Sequence, residues 1–315
     1  RSSGVHRRHM ERVAVANLNA PAFAQTLGAH GGATLFFEPT RTGVLSWNTL
    51  APKGRIAFRL LRAHQTDGDW LDHSEWQSDA ATSLSPAHAG TNVAVDVISA
   101  LQPFDGIEVR APGVRFELLA FSAPVHSRPS LPYARDALIL DVPARSQYPS
   151  PTSAKEERGW CSPASLSMIH AYHGIDLPLE QAALGVFDRA YNGTGNWAFN
   201  VAYSGRLGFR AVVGHLGNLD HAQRLIERNL PLAISYSWSP GELPGAPLPH
   251  SDGHLAVLCG FTRNGDCAIN DPAAPNVRVV YPRAAIERIW QRNDGIAYVV
   301  APVGVEFADV LAGAL

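Results

Sequence analysis

Three residues in the second half of the chain have the types and order for nucleophilic chemistry on a carbonyl. Cys161 lies in Gly159-Trp160-Cys161-Ser162-Pro163-Ala164-Ser165. His254 lies in Gly253-His254-Leu255-Ala256-Val257-Leu258-Cys259-Gly260-Phe261, and Asp271 in Asn270-Asp271-Pro272. The pattern predicts a helix from Cys161 to Gly174, with Ser162 as N-cap, Pro163 at the first helical position and Gly174 as the stop. A thiol at a helix start meets unpaired N–H groups and the positive end of the helix dipole. Both favour the thiolate, which is the nucleophilic form. A histidine opening an apolar strand can take the thiol proton, and an acid closing the next strand can hold the imidazole. Gln147, in the loop Arg145-Ser146-Gln147-Tyr148-Pro149, is a candidate oxyanion donor.

The chain has only three cysteines, Cys161, Cys259 and Cys267. An odd, small number excludes a disulfide framework and a four-cysteine zinc site. Cys259 and Cys267 read as free thiols in the core of a hairpin turning at Asn264-Gly265. A strict two-residue turn there would pair Arg263 with Asp266, Thr262 with Cys267 and Cys259 with Asn270. It would set Asp271 opposite Leu258, about 13 Å along the strand from His254. Twist, a bulge or a longer loop must close that gap. His250 and His254 have a spacing that suits zinc on a helix. Pro249, Ser251 and Gly253 argue against a helix, and no third ligand is evident, so neither metal nor cofactor is expected.

The ordered set Gln147, Cys161, His254 and Asp271, with Gly-His opening one strand and Asp-Pro closing the next, resembles bacterial papain-like cysteine peptidases. The type is that of bacteriocin-leader processing and its stand-alone relatives. The resemblance covers about residues 142–304. It implies an α+β papain-like fold in which Cys161 attacks, His254 moves the proton, Asp271 orients the ring, and Gln147 with the Cys161 N–H binds the oxyanion. Double-glycine leader processing is not carried over, because that activity belongs to transporter-fused members. The chain shows neither an apolar run of membrane length nor an ATPase motif. The expected function is a bacterial thiol hydrolase cleaving peptide or related amide bonds through a thioester. An acyltransferase on the same triad, transglutaminase-like, is one alternative. A catalytically silent protein binding a cell-envelope ligand is the other.

The elements that must position these residues are also legible. Asp176–Phe187, Asn196–Leu207, Leu219–Arg228 and Ala284–Gln291 read as helices. Leu232–Tyr236, Val277–Tyr281 and Ile296–Val300 read as strands. The loop from Trp238 to His250 carries four prolines and is expected to line the substrate cleft, with Trp160, Trp197 and Trp238 as apolar walls.

The first half alternates with period two. Short strands are expected at Leu35–Phe37, Val44–Trp47, Arg55–Leu60, Asn92–Val97, Ile107–Arg110 and Val114–Leu118. Pro39, Pro52-Lys53-Gly54, Asp67-Gly68, Asp105-Gly106 and Pro112-Gly113 are read as the turns between them. Such spacing suggests an all-β sandwich. It resembles accessory domains ahead of bacterial hydrolases, with Trp47, Trp70 and Trp76 as core or as a platform for a carbohydrate or peptide ligand. The chain of 315 residues divides into 11–123 as this sandwich, 124–141 as a proline-rich linker, 142–304 as the catalytic domain and 305–315 as a tail. Residues 1–10 read as a cloning remnant.

Hydrophobic residues make up 46% and charged residues 17%, with a net charge of −2. That composition argues against a nucleic-acid partner. The arginine-rich basic set points to a high-GC bacterium. Low charge and the accessory domain point to a secreted or cell-envelope protein, with a cytoplasmic one left open.

Overall fold

A computed structural model describes residues 23–77, 80–148 and 159–305. The stretch 1–10 and nearly all of the tail lie outside the described residues. Two antiparallel sheets organise the chain, one in each half.

The first half is a β domain. Its strands are β1 (Phe23–Asn48), β2 (Lys53–Arg62), β3 (Gln65–Gln77), β4 (Ala80–Ser83), β5 (Ala87–His88), β6 (Thr91–Ala94) and β7 (Val97–Ser122). They run in the order β4-β3-β2-β7-β6-β5, with β1 also paired to β7. The short strands expected around Leu35, Trp47, Ile107 and Phe116 are parts of two strands of 26 residues each. Pro39, Asp105-Gly106 and Pro112-Gly113 lie inside those strands and do not turn the chain. The β1–β7 register slips at several places, including between His30 and Gly32 and between Phe36 and Thr40. A slip of this kind is a bulge, where glycine and proline are tolerated within a strand. Gly32 illustrates the need, because a Cβ there would come within 2.0 Å of the Val109 carbonyl oxygen. The same bending lets both ends of β1 flank one stretch of β7. Phe23 and Val44 each pair with Ser122.

The reversal between β2 and β3 is not at Asp67-Gly68. It is at Ala63-His64, where both residues have positive φ (48° and 60°) and Arg62 pairs with Gln65. A two-residue hairpin with both φ positive normally takes Asn-Gly, so this turn carries no signal in the sequence. Leu45, Trp47, Phe58, Phe104, Ile107, Phe116 and Phe121 form the core of this half.

The second half packs helices on a curled sheet. Its elements are β8 (Leu138–Ile139), α1 (Cys161–Tyr172), α2 (Leu179–Val186), α3 (Trp197–Arg206), β9 (Arg210–His215), α4 (Leu219–Ile226), β10 (Leu232–Trp238), β11 (Ser251–Phe261), β12 (Cys267–Asn270), β13 (Arg278–Tyr281), α5 (Arg283–Gln291) and β14 (Ile296–Ala301). The strand order is β13-β12-β11-β10-β14-β9, with β8 on β11. Strand β9 was missed in the sequence. Its run Ala-Val-Val-Gly-His is nearly all buried and lacks the alternation that marks a half-exposed strand. Helix α1 is buried from Ser162 to His170, as its all-round apolar sequence requires.

The stretch expected as a linker is tied to the second half along its length. Ser130 donates from its N–H and its hydroxyl to Glu287, and the Leu131 N–H donates to Asp220. Residues 138–139 pair with Gly260 and Phe261. Glycine is required at 260, because a Cβ there would sit 2.0 Å from the Leu138 carbonyl oxygen. The two sheets are also bonded to each other. Asn48 donates to the carbonyls of Val201 and Ala211 and accepts from the Ala211 N–H. The Ser122 hydroxyl donates to the Val213 carbonyl. Asp96 accepts from the N–H groups of Trp197 and Ala198 and so occupies the start of α3. Among the described residues, no helix is long and apolar enough to cross a membrane.

Candidate active site

Cys161 is the first residue of α1. Ser162 is not the cap that the sequence suggested, because the residue before the helix is Trp160, with no side-chain cap bond. The Ser162 hydroxyl turns inward to Asn200 Oδ1 and the Tyr298 hydroxyl, each at 2.9 Å. Two buried hydrogen bonds outweigh one cap bond at a wet helix end. Pro163 is then the third helical residue and has no N–H to offer. The first intrahelical bond in reach runs from the Ala164 N–H to the Trp160 carbonyl. With no acidic side chain in the first turn, the positive end of the helix is left to the thiol.

His254 is the fourth residue of β11, buried at 3% exposure. Its Nε2–H donates to Asp271 Oδ1 at 2.8 Å. That leaves Nδ1 for Cys161, with which the ring shares a hydrogen bond. Asp271 is fully buried and doubly supported. The Tyr281 hydroxyl donates to Oδ2 at 2.8 Å, and the Ala273 N–H donates to Oδ1 at 3.0 Å. Tyr236 and Trp238 stand edge-on to the imidazole, each with its ring centre 5.6 Å away.

The separation read from a strict two-residue turn is closed by two register changes. Thr262 bonds to Asp266 across a three-residue loop, which shifts β12 by one place. A bulge between Leu258 and Gly260 shifts it by another. Val257 now pairs with Asn270, and Phe261 with Cys267. Asp271 falls level with Ala256, two residues from His254 on the same strand face, or about 7 Å. Two side chains span that distance. The pairings expected for Cys259 with Asn270 and Thr262 with Cys267 are replaced.

Electrostatics separate the three cysteines, all of them free thiols. Burial pushes the Cys161 thiol up, but the hydrogen bond and positive charge of His254 outweigh it and bring the thiol below its ordinary range. Burial drives Cys259 up to about 12, and burial with the charges of Asp266 and Glu287 pushes Cys267 up as well. His254 is raised to about 10. Burial opposes its charge, and the bonds to Asp271 and Cys161 overcome that penalty. Asp271 is held low by His254 and Tyr281 against its burial. These directions favour a thiolate, an imidazolium and a carboxylate in a row.

Gln147 is buried, and its N–H donates to the Pro272 carbonyl at 2.9 Å. The loop carrying it is therefore fixed to the residue that follows Asp271. Trp238 is nearly fully buried beside the imidazole. It is 3% exposed, packs on His254, and its indole N–H donates to the Leu248 carbonyl. Trp160 and Trp197 are half-buried, one just before Cys161 and the other opening α3. Tyr281, Tyr236 and the Ala273 N–H were not anticipated. Tyr281 reaches Asp271 only because β12 and β13 form a hairpin, and no spacing in the sequence announces that.

Comparison with known proteins shows the family of the second half. The family model for the Peptidase_C39 like family matches residues 139–298. Among solved structures, the chain is similar to a protein from Bacillus anthracis described as a C39-like peptidase. The identity is 20%, with 53% of this chain and 98% of that one covered and a TM-score of 0.41. It is also similar to a double glycine motif protease from an AMS/PCAT transporter, in complex with the leader peptide. There the identity is 20%, the coverage 54% and 100%, and the TM-score 0.33. For the peptidase domain of Streptococcus ComA the identity is 14%, the coverage 53% and 99%, and the TM-score 0.33. No curated protein matches. The family match spans half of the chain and every element that carries Cys161, His254 and Asp271, so the chain belongs to the Peptidase_C39 like family and is a cysteine peptidase-like enzyme.

Proposed function

We propose that the second half is a papain-like catalytic domain that hydrolyses peptide bonds through a Cys161–His254–Asp271 triad. The observation that carries this reading is the hydrogen-bonded row from the Cys161 thiol through His254 to Asp271, closed at its far end by Tyr281. The Cys161 thiolate attacks the scissile carbonyl carbon and forms the C–S bond, and the carbonyl electron pair moves onto oxygen. The Cys161 N–H and the Gln147 side chain are the donors for that oxyanion. Collapse breaks the C–N bond, and the imidazolium gives its Nδ1 proton to the leaving amine. This leaves a thioester. His254 then takes a proton from water, the hydroxide attacks, and the thiolate leaves. Asp271 keeps the ring turned with Nδ1 toward sulfur throughout.

The test is the alkylation rate of each cysteine against pH, read by peptide mapping, together with turnover of a peptide library. Cys161 is expected to react first and to keep its reactivity below pH 7, and Cys161→Ala to abolish turnover with the fold retained. Equal labelling of the three cysteines would refute the activated thiolate, as would a Cys161 midpoint near about 8.5, the free-thiol value. An alkylatable Cys161 with no thiol-dependent turnover would favour the silent binding protein.

A further inference from the structure

The tryptophans of the first half form no open platform. Trp47 is 2% exposed, and Trp70 lies against the guanidinium groups of Arg59 and Arg110. What the first half offers the second is a sheet edge. Strand β4 ends the first sheet, so its outward N–H and C=O groups need partners. They find them in the loop between α2 and α3. The Arg189 N–H donates to the Ala81 carbonyl at 3.0 Å, and the Ser83 N–H donates to Asp188 Oδ1 at 3.0 Å.

Asp188 is fully buried. Its Oδ1 also accepts from the Ala190 N–H at 3.0 Å, and its Oδ2 accepts from the Asn196 side-chain amide at 2.9 Å. The Asn196 side-chain oxygen in turn caps α3 by accepting from the Phe199 N–H at 3.0 Å. The loop held in this way reaches the start of α1 on both sides of the thiol. The Thr194 hydroxyl donates to the Gly159 carbonyl at 2.7 Å, two residues before Cys161. Asn200 accepts from the Ser162 hydroxyl at 2.9 Å, one residue after Cys161. The Asn200 amide donates to the carbonyls of Thr194 and Asn196, each at 2.8 Å. Thr194, Asn196 and Asn200 are all buried. An unbroken series of hydrogen bonds therefore runs from β4 to the residues flanking Cys161. Productive geometry at a reactive site holds within about 0.5 Å, so supports on both flanks of the thiol matter.

We infer that Asp188 and Thr194 are positioning residues for the nucleophile, through which the edge of the first sheet holds the turn Gly159–Ser162 and directs the Cys161 side chain toward His254. The inference rests on Cys161 as the reactive thiol. It makes the first half part of the active-site framework, not an appended accessory domain.

Three variants act on single links. In Asp188→Asn the Oδ1 place must stay an oxygen, because the Ser83 and Ala190 N–H groups donate to it. The new amide nitrogen then faces the Asn196 amide nitrogen, donor against donor, and Asn196 cannot turn over without losing the α3 cap. Thr194→Val keeps the shape and removes the hydroxyl. Thr194→Ser keeps the hydroxyl.

The experiment measures iodoacetamide alkylation of each cysteine in the full chain against pH, read by peptide mapping. Alkylation needs no substrate, so the result does not depend on which bond is hydrolysed. Thr194→Val is expected to raise the Cys161 midpoint by about 0.7 on the pH scale, or about fivefold less thiolate at a pH below the midpoint, the effect of one lost hydrogen bond. Asp188→Asn is expected to raise it by about 1 or more. Thr194→Ser should recover most of what Thr194→Val loses, and Cys259 and Cys267 should keep their wild-type rates in all three. If Asp188→Asn does not fold, the Thr194 pair decides. Faster labelling of the buried Cys259 and Cys267 would mean a general loosening of the fold and overturns the inference. So does a Cys161 midpoint unchanged in the folded variants, or a Thr194→Ser variant no better than Thr194→Val. A wild-type Cys161 midpoint near about 8.5, the free-thiol value, refutes the reactive thiol itself and this inference with it.

Discussion

Asp271→Asn isolates the charge at the end of the proposed catalytic row, because the surroundings fix how the amide must sit. The Ala273 N–H donates to Oδ1 at 3.0 Å. An amide nitrogen there would face a donor, so the asparagine oxygen takes the Oδ1 place and still accepts from His254. Its NH₂ group takes the Oδ2 place, where the Tyr281 hydroxyl turns from donating to accepting. Geometry is kept and the negative charge is lost. A hydrogen bond to a charged partner contributes about 1.5–3 kcal/mol and a neutral one about 0.5–1.5 kcal/mol. The midpoints differ by about 1.25 kcal/mol, which is about one pKa unit.

His254 is raised to about 10, so its charge is present below that value and lost as pH rises through it. In the variant that loss is expected about one unit lower. Cys161 behaves differently. The Asp271 charge pushes its thiol up, so the variant should not raise the lower limit of thiolate reactivity. The assay is an NMR titration of the His254 imidazole nitrogens in labelled protein, with Cys161 alkylation rates over about pH 5 to 11. A His254 titration unmoved by the substitution would refute the assigned role of Asp271. A Cys161 midpoint that rises by a full unit would refute the order of charges along the row.

Further expectations follow from other residues. Gln147→Ala should lower kcat by about 100-fold with little change in KM, the signature of a lost oxyanion donor; a loss confined to KM would place Gln147 in substrate binding alone. Asp96, buried at the start of α3, is pushed up to about 7 by burial, against the N–H groups of Trp197 and Ala198. A folded-state value above the unfolded one favours folding while the acid is protonated. Its contribution is full below about pH 4 and is lost as pH rises through about 7. Asp96→Asn should therefore flatten the fall of Tm between these values, and an unchanged Tm-against-pH slope would show that Asp96 does not set it.

Read by itself, the chain marked the proposed site residues more clearly than the architecture. Cys161 opens α1, Asp271 follows the end of β12 and His254 lies early in β11, all with strong local markers: a proline within α1 and a glycine after it, a glycine before His254, a proline after Asp271. Helices α3 and α5 were close to their observed bounds, because Asn196 caps one and both have an apolar face. The first half was less legible. Glycine and proline were read as turns where β1 and β7 absorb them as bulges, and the Ala63-His64 turn has neither residue.

The order of a cysteine at a helix start, a histidine early in a strand and an aspartate closing the next, and the antiparallel character of the first half were determined by the sequence, since each depends on residue type and local spacing. Tertiary structure decided the rest. A three-residue loop and a bulge near Cys259 bring Asp271 to His254. Inward bonds take Ser162 away from capping, and Trp238 becomes a brace for the imidazole. Asn48, Ser122 and Asp96 join the halves. All of these arise between segments distant in sequence, where register, burial and the partners of polar groups are set by packing and not by neighbours along the chain.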